Sequence, residues 1–124
     1  MNNKVKGTTF EKTVCDWLRA AGYWVHFMSP DNRGAQPFDI IAVRKGRALA
    51  IDCKTSVRSR FTYSRLEDNQ IYSFEHWIRC GNGEPYVIVE YNDNIHAIKY
   101  DDLMNEGYQE LGAKTLSQAR GLIL

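Results

Sequence analysis

Apart from its polar connection at residues 44–47, the most apolar stretch of this 124-residue chain, residues 37–54, contains three charged side chains, Asp39, Asp52 and Lys54. Its pattern predicts two strands, over residues 38–43 and 48–53, separated by a polar connection. In that connection Gly46 readily takes up a positive φ, so Lys45 and Gly46 can form the loop of a two-residue hairpin. Both faces of the hairpin are largely apolar, which is typical of central strands covered on both sides. The charges inside it therefore need a specific reason.

The two-residue loop predicts where those charges lie. It places Asp39 directly opposite Asp52, and Lys54 shares their face because side chains alternate along a strand. The side chains expected on the opposite face are Phe38, Ile40, Leu49, Ile51 and Cys53. If the register is off by one residue or the loop is longer, Asp39 is a strand-end residue, and Asp52 with Lys54 is an ordinary surface pair.

Two opposed carboxylates indicate a metal site. At a separation of roughly 5 Å they repel each other. A divalent cation turns this repulsion into attraction, and Mg²⁺ prefers hard oxygen ligands, commonly one or two carboxylates with water and substrate phosphate. Lys54 could then stabilise charge on a reacting phosphate or orient the attacking water. The alternative is the ordinary surface pair.

The composition bounds the architecture. With 44% hydrophobic residues, we expect one domain over residues 1–124, with a core at about 7–100 and a C-terminal extension at about 101–124. No apolar run approaches the roughly 20 residues that span a bilayer, and the polar N-terminus does not resemble a signal peptide. A cytoplasmic protein without membrane contact is expected. Three widely spaced cysteines indicate small buried residues rather than disulfides or a zinc site.

The charge is distributed unevenly along the chain. The net charge is only +1, which does not decide for or against a nucleic-acid partner. Residues 44–65 are basic, with Asp52 as their one acid, whereas residues 84–110 are mainly acidic. The basic residues are Arg44, Lys45, Arg47, Lys54, Arg58, Arg60 and Arg65. They predict phosphate-backbone binding that begins beside the proposed site, although such segments are also found as solvated faces.

Hydrophobic periodicity and turn residues predict the other elements. These are a helix from Thr8 or Thr9 to about Ala21, a strand over 23–28, a loop over 29–36, a helix from Ser64 to about Cys80, strands over 86–91 and 95–100, and a short helix over 101–105. Residues 55–63 are polar and basic with interleaved aromatic residues, which suits either a DNA contact or a pinned loop. The tail, residues 107–124, ends in apolar residues that pack on this domain or meet a partner.

Two polar residues fall at the helix positions that matter most. Glu11 completes a capping box with Thr8, and Ser64 with Glu67 forms a second one. Glu11 could satisfy the helix start or lie near a metal ion, and the sequence does not separate these roles. Gln70 points into the apolar stripe of its helix, so it either satisfies a buried backbone group or faces the site.

At Asp39 and at Asp52-Cys53-Lys54 the chain resembles the PD-(D/E)XK nuclease superfamily, whose pattern is an acid on one strand and acid-x-Lys on the next. Residues 7–11, 36–41 and 52–55 with Gln70 resemble the RecU-type and archaeal-type Holliday junction resolvases, and the similarity covers roughly residues 7–100. Two features depart from the RecU type. Position 52 is Asp where resolvases usually have Glu, and the connection over residues 28–36 is short, as in the archaeal-type and phage enzymes.

The resemblance implies a fold and an activity. The fold is α/β with a restriction-endonuclease-like core, in the order α-β-β-β-α-β-β, and a central mixed sheet flanked by helices. The activity is Mg²⁺-dependent cleavage of DNA at four-way junctions, with Mn²⁺ as a substitute metal. In this reading Asp39, Asp52 and the Cys53 carbonyl bind the metal and Glu11 assists. Lys54 activates or orients the attacking water, and Gln70 helps to place it.

The resemblance also implies a DNA surface and a homodimer, since two active sites in a two-fold dimer match a four-way junction. The residues expected to contact DNA are Ser29, Arg33, Arg58, Arg60, Lys4 and Lys6. Two other functions stay open. One is a repair or restriction-like endonuclease that acts on other DNA, because fold does not fix substrate. The other is a catalytically silent DNA-binding module. A stand-alone resolvase would suit a phage or mobile element.

Overall fold

The computed structural model describes residues 3–28 and 37–112. Its helices are α1 (Asn3–Ala20), α2 (Asp68–Arg79) and α3 (Tyr100–Glu106), with a 3-10 helix at Tyr63–Arg65. The strands are β1 (Trp24–Phe27), β2 (Ile40–Arg44), β3 (Arg47–Ser56), β4 (Arg60–Thr62), β5 (Tyr86–Tyr91), β6 (Asn94–Lys99) and β7 (Tyr108–Glu110). The predicted order is confirmed for the main elements. None of the helices in these ranges is long and apolar enough to cross a membrane.

The central hairpin has the predicted register. Lys45 and Gly46 form its loop, and both have a positive φ, of 48° and 82°. A type I′ turn, which is common in two-residue hairpin loops, requires a positive φ at both of these positions. Val43 pairs with Ala48 and the ladder runs on to Ile40, which pairs with Ile51. The alternative of a one-residue shift is therefore excluded.

The sheet is mixed, as expected. A five-stranded sheet has the order β1-β2-β3-β5-β6, in which β3 and β5 are parallel and the other neighbours are antiparallel. The helix α1 covers one face, where Val14 and Leu18 pack in one core cluster with Ile40 and Ile51. The helices α2 and α3 cover the other face, where Phe74 and Leu103 pack with Ala50 and Val87. The hairpin is thus buried on both sides, which explains its apolar sequence.

The first helix begins earlier than predicted. It starts at Asn3 rather than at Thr8 or Thr9, so the predicted capping box of Thr8 with Glu11 is wrong. Thr13 Oγ1 instead bonds back to the Thr9 carbonyl at 3.1 Å, as a threonine inside a helix does. The helix ends as predicted, because Gly22 follows it with a φ of 91°.

The segment after β3 also differs from expectation. The predicted box of Ser64 with Glu67 is wrong, because Ser64 lies in the 3-10 helix and α2 begins after Glu67 as its N-cap. The polar segment over 55–63 contains β4, which pairs with β7 as a separate two-stranded sheet. Sequence periodicity could not reveal this sheet, because each strand has only three residues.

Phe38 lies on the opposite face from the one predicted. The ladder of β2 ends at Ile40, so the alternation of side chains no longer applies to the residues before it. Phe38 stacks on Phe74 at a ring-centroid distance of 5.5 Å and meets Trp77 edge-on at 5.8 Å. It therefore packs against α2, and the chain turns at Asp39.

Candidate active site

The predicted site residues come together beside the start of β2 and the buried middle of β3. Asp39 directly precedes β2, Asp52 and Lys54 lie in β3, and Gln70 lies in the first turn of α2. Glu11 lies in α1, on the other side of the sheet. The site is thus built from elements on both faces, held together by the ladder between β2 and β3.

Asp52 is the most buried charged residue of the site, with 0% exposure. Its Oδ1 atom accepts a hydrogen bond from Gln70 Nε2 at 3.1 Å. Its Oδ2 atom lies 3.3 Å from Lys54 Nζ, yet receives no hydrogen bond of good geometry from any described residue. A buried carboxylate oxygen without a donor is costly. This atom can therefore accept a ligand that the described residues do not provide.

Gln70 fulfils both of the roles left open by the sequence. Its Oε1 atom accepts bonds from the Glu67 backbone amide at 3.0 Å and from Lys54 Nζ at 3.1 Å. The first of these bonds belongs to the capping box that starts α2, in which Glu67 is the N-cap. Because Nε2 bonds to Asp52, a single side chain fixes the helix start, the ammonium and the carboxylate.

Asp39 is held by the backbone of β3. Its Oδ2 atom accepts a hydrogen bond from the Cys53 amide at 2.8 Å, while its own amide donates to the Ile51 carbonyl at 3.1 Å. The side chain lies just outside the ladder, so its charge acts on Glu11 on one side of the sheet and on Asp52 on the other. No pattern in the sequence predicts this contact with the Cys53 amide.

Two acids of the site, Asp52 and Glu11, have a raised pKa. Burial, and then the neighbouring Asp39 charge, raise the pKa of Asp52 well above its usual value, with Lys54 acting in the opposite direction. Burial also raises the pKa of Glu11 to about 7, again with Asp39 adding to the effect and Lys54 opposing it. A cation bound beside these acids would favour their ionised forms.

The donors present fit a hard divalent cation in part. Asp39 and Asp52 supply carboxylate oxygens, which is the donor type that Mg²⁺ takes, and Asp52 Oδ2 has no other hydrogen-bond partner among the described residues. Within residues 3–28 and 37–112, however, no three His, Cys, Asp or Glu side chains come close enough to hold an ion by themselves. Direct coordination by Glu11 and by the Cys53 carbonyl stays a prediction.

Comparison with known proteins decides the family of the chain. Residues 2–122 match the sequence model of the archaeal Holliday junction resolvase family, Hjc. The chain belongs to this family. It is 30% identical over 90 residues to the crossover junction endodeoxyribonuclease Hjc of Methanocaldococcus jannaschii, a match that covers 73% of this chain and 62% of that protein. The chain thus spans less than two thirds of this curated relative.

A solved Hjc structure has the same fold. The Holliday junction resolvase Hjc of Archaeoglobus fulgidus superposes with a TM-score of 0.64, covering 94% of this chain and 99% of that one at 16% identity. The predicted nuclease superfamily and the predicted fold class are therefore confirmed.

The basic residues do not form one surface beside the Hjc-like site. Arg44 and Arg47 lie at the hairpin end of β3, and Arg47 precedes Asp52 by five residues, which at roughly 3.3 Å per residue is about 17 Å. There, Arg44 donates to the Ala21 carbonyl at 2.6 Å and Arg47 to the Tyr23 hydroxyl at 3.3 Å. The prediction that the basic segment begins beside the site is thus wrong for its first residues.

The second group of arginines lies near the site, after the end of β3. Arg58, Arg60 and Arg65 line one groove of about 390 Å³ together with Ser56 and Thr62. Arg60 is engaged, since it pairs with Glu110 at 3.0 Å and lies over the Tyr108 ring. Arg65 donates to the Thr55 carbonyl at 2.8 Å. Arg58 is exposed, and its hydrogen bonds within the described part of the chain join its backbone to the Ser56 hydroxyl.

The other predicted DNA contacts cannot be placed. Ser29 and Arg33 lie outside the described residues. Lys4 and Lys6 lie in α1, but their side chains are also outside the described part. These four positions stay predictions.

The contacts of Gln70 predict a measurable loss of stability on truncation. In Gln70→Ala the Glu67 amide and Asp52 Oδ1 lose their partners, so we expect the free energy of unfolding to fall by about 1–3 kcal/mol. Urea unfolding of the metal-free protein measures this. Gln109→Ala is the matched control, because among the described residues the Gln109 side chain bonds only to the exposed side chain of Glu106, and it should change stability by less than about 0.5 kcal/mol. Equal effects of the two variants would contradict the assigned network.

Proposed function

We propose that this protein is a divalent-metal-dependent endonuclease that cuts four-way DNA junctions. The observation that carries the proposal is the buried Asp52 carboxylate, which has Asp39 beside it and Lys54 Nζ at 3.3 Å, while its Oδ2 atom has no hydrogen-bond donor in the described chain. Membership in the archaeal Holliday junction resolvase family supports junctions as the substrate. A cytoplasmic location is consistent with this function.

The site residues divide the work of phosphodiester hydrolysis. Asp39 and Asp52 would hold Mg²⁺ or Mn²⁺, which supplies Lewis-acid polarisation of a phosphate oxygen and an acidified water when bound. Lys54 carries a positive charge at the edge of the site, where it can stabilise the charge that develops on the phosphate. Gln70 fixes the direction of both Lys54 and Asp52 through its two bonds. Glu11 adds a third acid from the opposite face of the sheet.

We further propose that the protein acts as a homodimer through the uncovered part of the sheet. Trp24 and His26 of β1 pair with Val43 and Ile41 of β2. These side chains lie on the same face of the sheet as α2, beyond the part of that face that α2 covers. Trp24 is 64% exposed. The neighbouring groove of about 300 Å³ between this face and α2 is mostly apolar, lined by Met28, Phe38, Ile41 and Trp77 among others. An aromatic face of this kind is typical of a protein interface.

Replacing Trp24 with arginine tests this dimer. We expect a solution mass of two chains for the wild type and of one chain for Trp24→Arg, because a charge at the centre of an apolar interface is left without a partner. Light scattering after gel filtration measures the mass. Tyr63→Arg is the control, since Tyr63 is also an exposed aromatic residue but lies in the 3-10 helix. A monomeric wild type would contradict the dimer, and a dimeric Trp24→Arg would contradict this surface.

The raised pKa values predict how metal and pH affect stability. Folded Glu11 holds its proton up to a pKa of about 7, whereas the unfolded chain releases it near the ordinary 4.5, and the pKa of Asp52 is shifted in the same direction. Between these values the folded state binds more protons, so the free energy of unfolding falls as pH rises. Metal-free protein should therefore melt at a lower temperature at pH 8 than at pH 5.

Mg²⁺ should reverse this trend, because it binds the deprotonated acids and stabilises the folded state that holds it. We expect the rise in melting temperature with Mg²⁺ to be larger at pH 8 than at pH 5, measured by calorimetry against chelator. Asp52→Asn should lose most of the Mg²⁺ effect. If the melting temperature of the wild type is the same with Mg²⁺ and with chelator at both pH values, this would argue against the metal site.

Cleavage of a labelled, immobile four-way junction tests the function itself. We expect cutting with Mg²⁺ and none with chelator. Equal cutting of a linear duplex with the same arm sequence would favour the repair or restriction-like endonuclease. Junction binding without any metal-dependent cutting by highly purified protein would instead favour the silent DNA-binding module.

A further inference from the structure

Val57 is unusual among the exposed apolar residues of the described chain. Its side chain is 95% exposed, the highest value of any large hydrophobic residue there, whereas Val43 is only 37% exposed. The other exposed large hydrophobic side chains are tryptophan and tyrosine, which carry a polar group. An aliphatic side chain held fully in water gains most from being covered when a partner binds.

The turn that carries Val57 is fixed on both sides. Ser56 Oγ donates to the Arg58 carbonyl at 2.7 Å and accepts from the Arg58 amide at 3.3 Å. The Ser59 carbonyl accepts a hydrogen bond from the Leu111 amide at 2.6 Å. Val57 is therefore displayed at a set position by a turn with defined contacts at both ends.

The surroundings of Val57 are suited to nucleic acid. It lies on the groove of about 390 Å³ that Arg58, Arg60 and Arg65 line, together with serine and threonine hydroxyls. Arginines and hydroxyls are the usual donors to a phosphate backbone. Apolar side chains that project beside such contacts are used by DNA-binding proteins to enter between bases and to hold them unstacked.

The position along β3 connects this turn to the active site. Val57 follows Lys54 by three residues, and because β3 ends at Ser56 the distance along the chain is at most about 10 Å. One strand of DNA advances roughly 3.4 Å per nucleotide, so a side chain here can reach a base step up to about three nucleotides from a phosphate at Lys54. Bases at a branch point are more easily unstacked than bases inside a continuous duplex.

We propose that Val57 is a specificity-determining contact that packs against an unstacked base near the branch point, while the arginine groove holds the adjoining phosphates. The proposal rests on the proposed junction-cutting function. It assigns part of the preference for branched over linear DNA to an apolar contact outside the catalytic acids, beside phosphate contacts that position the DNA.

Val57→Ser tests the proposal with little risk to the fold, because the side chain touches almost nothing in the free protein. Binding is measured in the Asp52→Asn background, so that the DNA stays uncut, for a junction and for a duplex of the same arms. We expect junction affinity to fall about tenfold, as for the loss of one buried aliphatic contact, with duplex affinity unchanged. Val57→Leu keeps an apolar side chain and should retain the junction preference.

A fluorescent adenine analogue, 2-aminopurine, placed in turn at each of the first five positions from the cleavage site locates the contact. We expect a rise in its fluorescence near the third position with Val57, absent with Val57→Ser. An unchanged junction preference and fluorescence in Val57→Ser would overturn the inference while leaving the resolvase function intact. A parent protein that binds junction and duplex equally would overturn both.

Discussion

Asp52→Asn should abolish cleavage while leaving junction binding in place. The substitution keeps the shape of the side chain and an oxygen that can accept the Gln70 bond of 3.1 Å. It removes the negative charge that a metal ion needs at the centre of the site. We expect the rate of junction cutting to fall by at least about 10²–10³-fold, since ligands and preorganised charges contribute on this scale.

The same variant should be more stable than the wild type without metal. Asp52 is fully buried, and its pKa is raised mainly by that burial, so the ionised form destabilises the metal-free fold at neutral pH. Asp16→Asn is the matched control, because Asp16 is exposed on α1 and only pairs with Arg19. It should cut junctions at the wild-type rate. Unchanged cleavage by Asp52→Asn would contradict the proposed metal site.

Lys54→Met should lower the rate by about 10²–10³-fold, the range seen when one stabilising charge is removed from a reacting centre. Lys54 Nζ lies 3.3 Å from Asp52 Oδ2 and 3.1 Å from Gln70 Oε1, and its side chain is only 16% exposed. The methionine has a similar length and keeps the buried stem packed. The loss is therefore assigned to the charge rather than to a cavity.

The dependence of the cleavage rate on pH distinguishes an electrostatic role of Lys54 from a purely structural one. Lys54 lowers the pKa of Asp52, so without it Asp52 holds its proton to higher pH, and metal binding must displace that proton. The residual activity of Lys54→Met should consequently rise toward more alkaline pH than that of the wild type. Lys99→Met, at the exposed end of β6, is the control and should leave both rate and profile unchanged. An unshifted profile would contradict the coupling of Lys54 to Asp52.

The part of the fold that the sequence predicts is the part governed by local rules. The hairpin loop at Lys45 and Gly46 fixes a register, and that register carries Asp52 and Lys54 into the site. The five strands of the main sheet are each marked by apolar or β-branched runs. Capping signals were less reliable: Thr8 and Ser64 match the pattern of a cap, but the real caps depend on tertiary contacts, as Glu67 and Gln70 show.

The rest depends on contacts between distant segments. The pairing of β4 with β7 joins residues about 50 positions apart, so no local sequence pattern predicts it. Phe38 departs from strand alternation because α2 offers it an aromatic partner. The separation of Arg44 and Arg47 from Arg58 follows from the length of β3, so charges of one basic segment lie beyond opposite ends of this strand.

Mapping the cuts on all four strands of an immobile junction is the sharpest test of metal-dependent junction cleavage at Asp52. Each strand is end-labelled in turn, and wild type and Asp52→Asn are compared with Mg²⁺ and with chelator, beside a linear duplex with the same arms. We expect nicks at symmetric positions on two opposite strands of the junction, dependent on Mg²⁺ and on Asp52, with the duplex left intact. Equal cutting of the duplex, or nicks that persist in Asp52→Asn, would contradict it.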